Sequence, residues 1–332
     1  MKKGVCLTPF FRIKMFYNHI NANLSILFLK ISLFLLGFTA FLPQLSSSLF
    51  NNYFCSFLIL TIGLSHGSLD NLKGIKLLKY FKLKNVSIFY VIYILLSLLS
   101  ILFWINYPVI SLLFLLILGS YHFGKEDLEF IEINKNIFKN LLFLLKGLIA
   151  VSAPLLFNFN ETINIFILLS NEHNYLITIF NYLNENNYIT LVVLLSFITT
   201  IYLPKDLKTK FLIYVEFSSI LILNYIFTPF IAFTIYFCFL HSLRHIIGLN
   251  KKLLNYKIDT NRSYNIYKLL INFYKYALKL TSISSLIFIL GFYTIHNTQS
   301  LDSSIYKIIF PGLAALTIPH ILLEYLYESF ID

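Results

Sequence analysis

Along this 332-residue chain the apolar positions gather in long unbroken stretches, not in alternating or one-faced patterns. The runs fall at about 24–43, 50–67, 87–105, 107–123, 137–157, 188–203, 211–227, 229–248, 279–296 and 305–327. In a hydrocarbon layer only helices and closed barrels satisfy every backbone polar group, and barrel strands would alternate apolar and polar residues every second position. These runs do not alternate, so the pattern predicts helices. About 20 residues cross a bilayer core, which gives an all-α polytopic transmembrane bundle of about ten spans, within a range of roughly eight to eleven. Some runs are short, and the more polar stretch at 163–183 has room for one further half-buried helix.

The polar positions between the runs orient the bundle. With the N-terminus in the cytoplasm, Lys and Arg cluster at 2–14, 73–84, 125–139, 205–210 and 251–279, all on one side, and the loops of the other side carry none. The positive-inside rule accounts for this asymmetry and places both termini in the cytoplasm. The expected organisation is a basic cytoplasmic tail at 1–23, one transmembrane catalytic domain at 24–327 and a short tail at 328–332. No small-residue cleavage site follows the first run, so it reads as a retained span in a multi-pass protein of the inner (plasma) membrane.

Composition agrees. Apolar residues make up 58% of the chain and charged residues 12%, against about 25% charged in soluble domains, so the chain cannot cover a water-facing surface. The net charge of +11 is explained by the cytoplasmic loops, and no nucleic acid is expected as a partner. Cys6, Cys55 and Cys238 are far apart and form no CxxC pair, which argues for neither a disulfide framework nor a zinc site.

Candidate chemistry lies in the histidines. His19, His173 and His296 fall in a tail, a loop and a helix end, where a solvated or interfacial role suffices. The other five are His66 in SHGSLD, His122 in YHFGKED, His241 and His245 in HSLRH, and His320 in IPHILLEY. Four elements far apart in sequence thus place imidazoles at one depth, in the cytoplasmic half of the membrane. Ionisable side chains within a span cost about 2.5–3.5 kcal/mol each at its centre and are kept for function. A shared metal or proton site is expected. The i, i+4 spacing of His241 and His245 puts both rings on one helix face, and imidazole suits Fe, Zn and Cu.

Carboxylates follow the histidines. Asp70 is four residues beyond His66, Glu126 and Asp127 are four and five beyond His122, and Glu324 is four beyond His320. Metal-bound histidines commonly donate their second N–H to a carboxylate, so Asp70, Asp127 and Glu324 are candidates for that role. Glu126 reads as a solvated loop charge. Arg244 lies within a span and needs a partner, for which Asp70 or Asp127 would serve.

The blocks HGSLD at 66–70, YHFGKED at 121–127, HSLRH at 241–245 and PH at 319–320 resemble, in order and spacing, the Brp/Blh family of membrane β-carotene 15,15'-dioxygenases. The resemblance runs from the second span to the C-terminus and leaves out the segment before about 45 and the polar insert at 158–187. It implies a non-haem Fe(II) enzyme that splits the central double bond of β-carotene with O2 into two molecules of all-trans-retinal. Carried over by motif, the iron ligands and catalytic residues are His66, His122, His241 and His245. His320 is then a second-shell or pocket-lining residue. Tyr121, Phe123, Tyr236, Phe237 and Phe239 adjoin the ligands and are candidate walls for an apolar tunnel, fed laterally from the lipid bilayer.

Other readings remain open at this level. A di-iron desaturase or hydroxylase would need about eight histidines, and this chain has too few within its spans. A histidine-lined transporter would spread polar groups over both leaflets. A rhodopsin assembly factor would carry no chemistry of its own.

Overall fold

The computed structural model describes residues 9–43, 51–128, 139–171, 175–202, 206–252, 266–296 and 300–331. Among these there is helix and no strand. The elements are α1 (Pro9–Phe41), α2 (Asn52–Leu58), α3 (Asp70–Tyr80), α4 (Ser87–Asn106), α5 (Pro108–Asp127), α6 (Lys139–Gly147), α7 (Ile149–Phe157), α8 (Phe159–Leu169), α9 (Tyr175–Glu185), α10 (Tyr188–Tyr202), α11 (Leu207–Ile226), α12 (Pro229–Tyr236), α13 (Leu243–Lys252), α14 (Ile266–His296) and α15 (Leu301–Phe330). Between α2 and α3 the chain stays helical through a π-helical turn at Ile59–Gly63 and a 3₁₀ segment at Leu64–Leu69. A second π-helical turn, Phe237–Ser242, joins α12 to α13.

Local chemistry sets several boundaries. Asn51 caps α2, its side chain accepting from the Phe54 N–H at 2.9 Å, and Asp206 caps α11 by accepting from the Thr209 N–H at 2.8 Å; both satisfy a donor that a helix start leaves free. Pro108 and Pro229 occupy first-turn positions, where a missing N–H costs nothing.

Among the described residues eight stretches are long and apolar enough to cross a membrane: 20–41, 87–106, 108–127, 139–157, 207–226, 229–250, 270–296 and 301–330. They correspond to eight of the ten apolar runs, and the architecture is an all-α polytopic helical bundle. The other two runs take different forms. The run at 50–67 becomes the broken helix carrying His66, and that at 188–203 the 15-residue α10. The stretch at 163–183, with room for one further half-buried helix, instead falls across two short helices, α8 and α9. The turn before α8 is tied down by Asn158, whose amide donates to the carbonyls of Asn224 and Phe227 at 2.6 and 3.0 Å.

The helix 229–250 is the axis of the bundle: 83% of its 18-residue apolar core is buried, against 6% for that of 87–106. Around it pack Phe28 from α1, Ile59, Phe217 and Leu223 from α11, and Ile309 and Leu313 from α15. The α5–α6 crossing is closer still. A Cβ at Gly124 would lie 1.8 Å from the Phe143 carbonyl oxygen, and one at Gly147 would lie 1.7 Å from that of Ser120. Backbone therefore touches backbone there, as small residues allow between membrane helices, and the contact fixes the end of α5 that carries His122, Glu126 and Asp127.

Candidate metal centre

Two irregular turns frame the centre. Gly63 ends the first π-helical turn, and a Cβ there would meet the Phe237 ring at 2.6 Å, at the start of the second. A π-helical turn inserts a residue into the helical register and often marks a functional site. Here one such turn precedes His66 and the other contains His241. The Phe237 ring lies stacked 5.8 Å from His241 and edge-on 5.5 Å from His66.

The five membrane histidines meet. Centroid distances from His66 to His241, His245 and His320 are 5.6, 5.5 and 5.5 Å. From His122 to the same three rings they are 5.2, 6.3 and 5.2 Å. His122, His241, His245 and His320 are buried. The Nε2 atoms of these four have no hydrogen-bond partner. An unsatisfied buried polar atom costs about 1–3 kcal/mol, so four on neighbouring rings make a donor set that suits a cation. Ligand atoms of His66, His122 and His241 lie within 4.8 Å of one another, as do those of His122, His320 and Glu324, and those of Glu126, His245 and Glu324.

The carboxylates bind across helices, not along them. His245 Nδ1 lies 2.7 Å from Glu126 Oε2. His320 Nδ1 lies 2.8 and 3.0 Å from the two oxygens of Asp70, which also accepts from the Tyr93 hydroxyl at 2.9 Å. His241 Nδ1 lies 3.7 Å from Asp127 Oδ1, and His66 Nδ1 contacts the Gly63 carbonyl. Glu126 is thus no solvated loop charge: it is buried because α5 carries it inward against α13. Asp70 serves the histidine of α15 and not its own sequence neighbour, and Glu324 pairs with the buried Lys73 while standing 3.8 Å from His245 Nε2. Lys73, read from sequence as a cytoplasmic loop cation, is in the interior.

Arg244 finds Asp127, as expected, at 3.4 Å. Its larger partner is Glu216 on α11, at 2.5 Å. Glu216 also accepts from Ser25 of α1 at 2.5 Å, and Tyr236 donates to Asp127 at 2.8 Å. Sequence reading missed Glu216, although an acidic residue inside the run 211–227 was the signal that would have found it.

A cavity of about 840 Å³ reaches the histidines and is lined by His66, His122, His320 and Asp70 together with apolar residues of α4, α5, α14 and α15. Along α15 it extends from Lys307 to His320, about 20 Å at 1.5 Å per residue. Phe123 and Phe237 line it; Tyr121, Tyr236 and Phe239 do not. Tyr121 instead turns to Phe143 and Asn140, because α6 covers that side of α5, and the Tyr236 hydroxyl is committed to Asp127. His296 stacks on Phe292 at the far end of α14. His173 and the side chain of His19 lie outside the described residues.

A family model described as beta-carotene 15,15'-dioxygenase matches residues 57–328. The chain is 27% identical over 283 residues to the beta-carotene 15,15'-dioxygenase of uncultured marine bacterium 66A03, covering 82% of this chain and 92% of that protein. No solved structure matches.

Proposed function

This chain belongs to the β-carotene 15,15'-dioxygenase family, and on that premise we propose that it is an iron-dependent oxygenase that cleaves β-carotene at its central double bond. The balance is simple: one C=C bond breaks, both atoms of O2 enter as carbonyl oxygens, and a symmetric hydrocarbon gives two identical aldehydes, retinal. The observation that carries the reading is the set of buried, unpartnered imidazole Nε2 atoms converging beside a long apolar cavity.

His66, His122, His241 and His245 would hold the Fe(II), a donor set suited to iron that carries no charge to the ion. The iron supplies the activation of O2 that a hydrocarbon and the side chains present cannot. Glu126 accepts from His245 Nδ1, which fixes the tautomer that leaves Nε2 free for the ion, and Asp127 stands beside His241 for the same purpose. Phe123, whose ring centroid is 4.6 Å from His241, and Phe237 wall the centre and keep the conjugated chain dry beside it.

Access from the bilayer follows from the walls. Ile94 and Leu98 of α4 and Ile283 and Ile287 of α14 line the cavity and are exposed. An entrance between these helices would let a hydrocarbon dissolved in lipid enter without crossing water.

Expression in a bacterium that accumulates β-carotene tests the reading. The pigment should bleach and retinal should appear, two per β-carotene lost, with dependence on O2 and loss on chelation of iron. Longer apocarotenals would place the cut off-centre. No carotenoid loss from folded, iron-loaded protein would favour a transporter or assembly factor.

A further inference from the structure

We propose that His320 is itself a metal ligand, so that the centre is built from five imidazoles and not four. The inference rests on the metal-centre reading above and departs from the expectation that His320 stands behind the ligands or merely lines the pocket.

Position is the first ground. His66 and His122 each lie against all three of His241, His245 and His320, and the His320 distances, 5.5 and 5.2 Å, match those of His241, 5.6 and 5.2 Å. His320 also stands 5.4 Å from His245. By centroid distance His320 stands with the other rings, and its ligand atom lies within 4.8 Å of those of His122 and Glu324. His122 also belongs to the set with His66 and His241, so it links His320 to them.

Unmet bonding is the second. A histidine that only lined a wall would satisfy both nitrogens or leave one in water. His320 is 3% exposed. Its Nδ1 faces the two oxygens of Asp70, and its Nε2 has no partner. A carboxylate on one nitrogen and a bare, buried lone pair on the other is the carboxylate–histidine–metal arrangement. Of the five rings, His320 has the most complete version of it, since Asp70 is itself held by Tyr93. Glu324 offers an oxygen in the same neighbourhood, but it is already paired with Lys73.

Backbone chemistry is the third. Pro319 immediately precedes His320 inside α15 and removes one helical hydrogen bond there. The helix nevertheless runs unbroken through Pro319 to Phe330 and holds the imidazole in place. Five nitrogen donors on an ion that accepts six leave a single open position, so the hydrocarbon substrate would lie beside the ion without bonding to it.

The test counts ligands without using turnover. Cobalt(II) replaces the native ion in purified full-length protein, and proton NMR is recorded in H2O and in D2O. Each imidazole bound through Nε2 retains an Nδ1–H, which gives one strongly shifted, exchangeable resonance. Five are expected from the native chain and four from His320→Ala, with one cobalt still bound per chain. Asp70→Asn should displace one of the five and weaken cobalt binding by about 10–100-fold. Four resonances in the native protein, or the same count with and without His320, would overturn the proposal while leaving the metal centre standing. If His320→Ala does not fold, the native count alone decides. Folded native protein that takes up neither cobalt nor iron would overturn the metal reading itself, and this inference with it.

Discussion

The stretches 87–106 and 229–250 are both apolar and of membrane-spanning length, yet they sit in opposite places. The first has neither a charged residue nor a histidine, and apart from the buried Trp104 its residues are exposed or half-buried. The second carries His241, Arg244 and His245 and is almost wholly buried. In water the more apolar helix would be the buried one. In lipid the tails solvate Leu and Ile as well as any core does, and ionisable groups pay to meet them, so polarity marks the interior. Helix α4 shows its aliphatic face to the bilayer, while the 229–250 helix gathers the partners its polar groups require. Substitutions on the two helices should therefore differ in size and in kind.

The largest effect is expected at the histidines. Losing an outer partner of a bound metal typically costs about 10–100-fold, and losing a ligand exceeds that. His241→Ala should therefore lower retinal formation by more than about a hundredfold and strip most of the iron, read by product analysis and metal content. Leu99→Ala, exposed on α4 and outside the cavity lining, should keep both near the native level.

Next in size is Arg244, whose head group is enclosed by Glu216, Asp127 and Ser25. Removing one partner of a buried ion pair costs about 3–5 kcal/mol, because the remaining charge stays buried alone. Arg244→Leu should lower stability by that amount, measured by unfolding in detergent. Glu216→Leu combined with Arg244→Leu should recover part of it. A double variant worse than the single one would mean that the pair is not the unit.

These two sites also measure what could be read from sequence. The helical class, eight of the ten expected runs and the five histidines were legible because apolar length and histidines within apolar runs are local signals. The carboxylate pairings were not. Spacing along one helix suggested Asp70 with His66 and Asp127 with His122, but the structure pairs Asp70 with His320 and Glu126 with His245. Which helices lie side by side is decided by packing such as the Gly124–Gly147 contact, and no single run encodes it. The π-helical turns were equally hidden, since a one-residue change of register leaves no trace in hydropathy. Lys73 was misread because a cation just past a run looks the same whether it faces water or a buried Glu324.

The helix contact that sets α5 gives a smaller, steric effect. Gly147→Ala would place a methyl group 1.7 Å from the Ser120 carbonyl oxygen, and backbone cannot rotate away as a side chain can. Overpacking of this kind costs about 1–3 kcal/mol. The variant should unfold more easily and bind less iron, since His122 and Glu126 ride on the displaced helix. Gly37→Ala on α1, where nothing lies within 4 Å, should do neither.

The finest test repeats one chemical change on both helices. Leu240 is fully buried beside His241, and Leu99 on α4 is 51% exposed. In a soluble protein Leu→Ala in the core loses a transfer term and a cavity term together. Here the transfer term largely vanishes, because the separated helix would be bathed in lipid and not in water. What remains for Leu240→Ala is the cavity, about 2 kcal/mol for the volume of three methylene-sized groups. Leu99→Ala opens no cavity, since lipid fills the space, and should stay within about 0.5 kcal/mol of native. Both are read by the same unfolding titration. Equal costs at the two positions would mean that α4 is covered by protein in the membrane, a second copy of the chain or another subunit, and the contrast between the two helices would then belong to the single chain and not to the assembly.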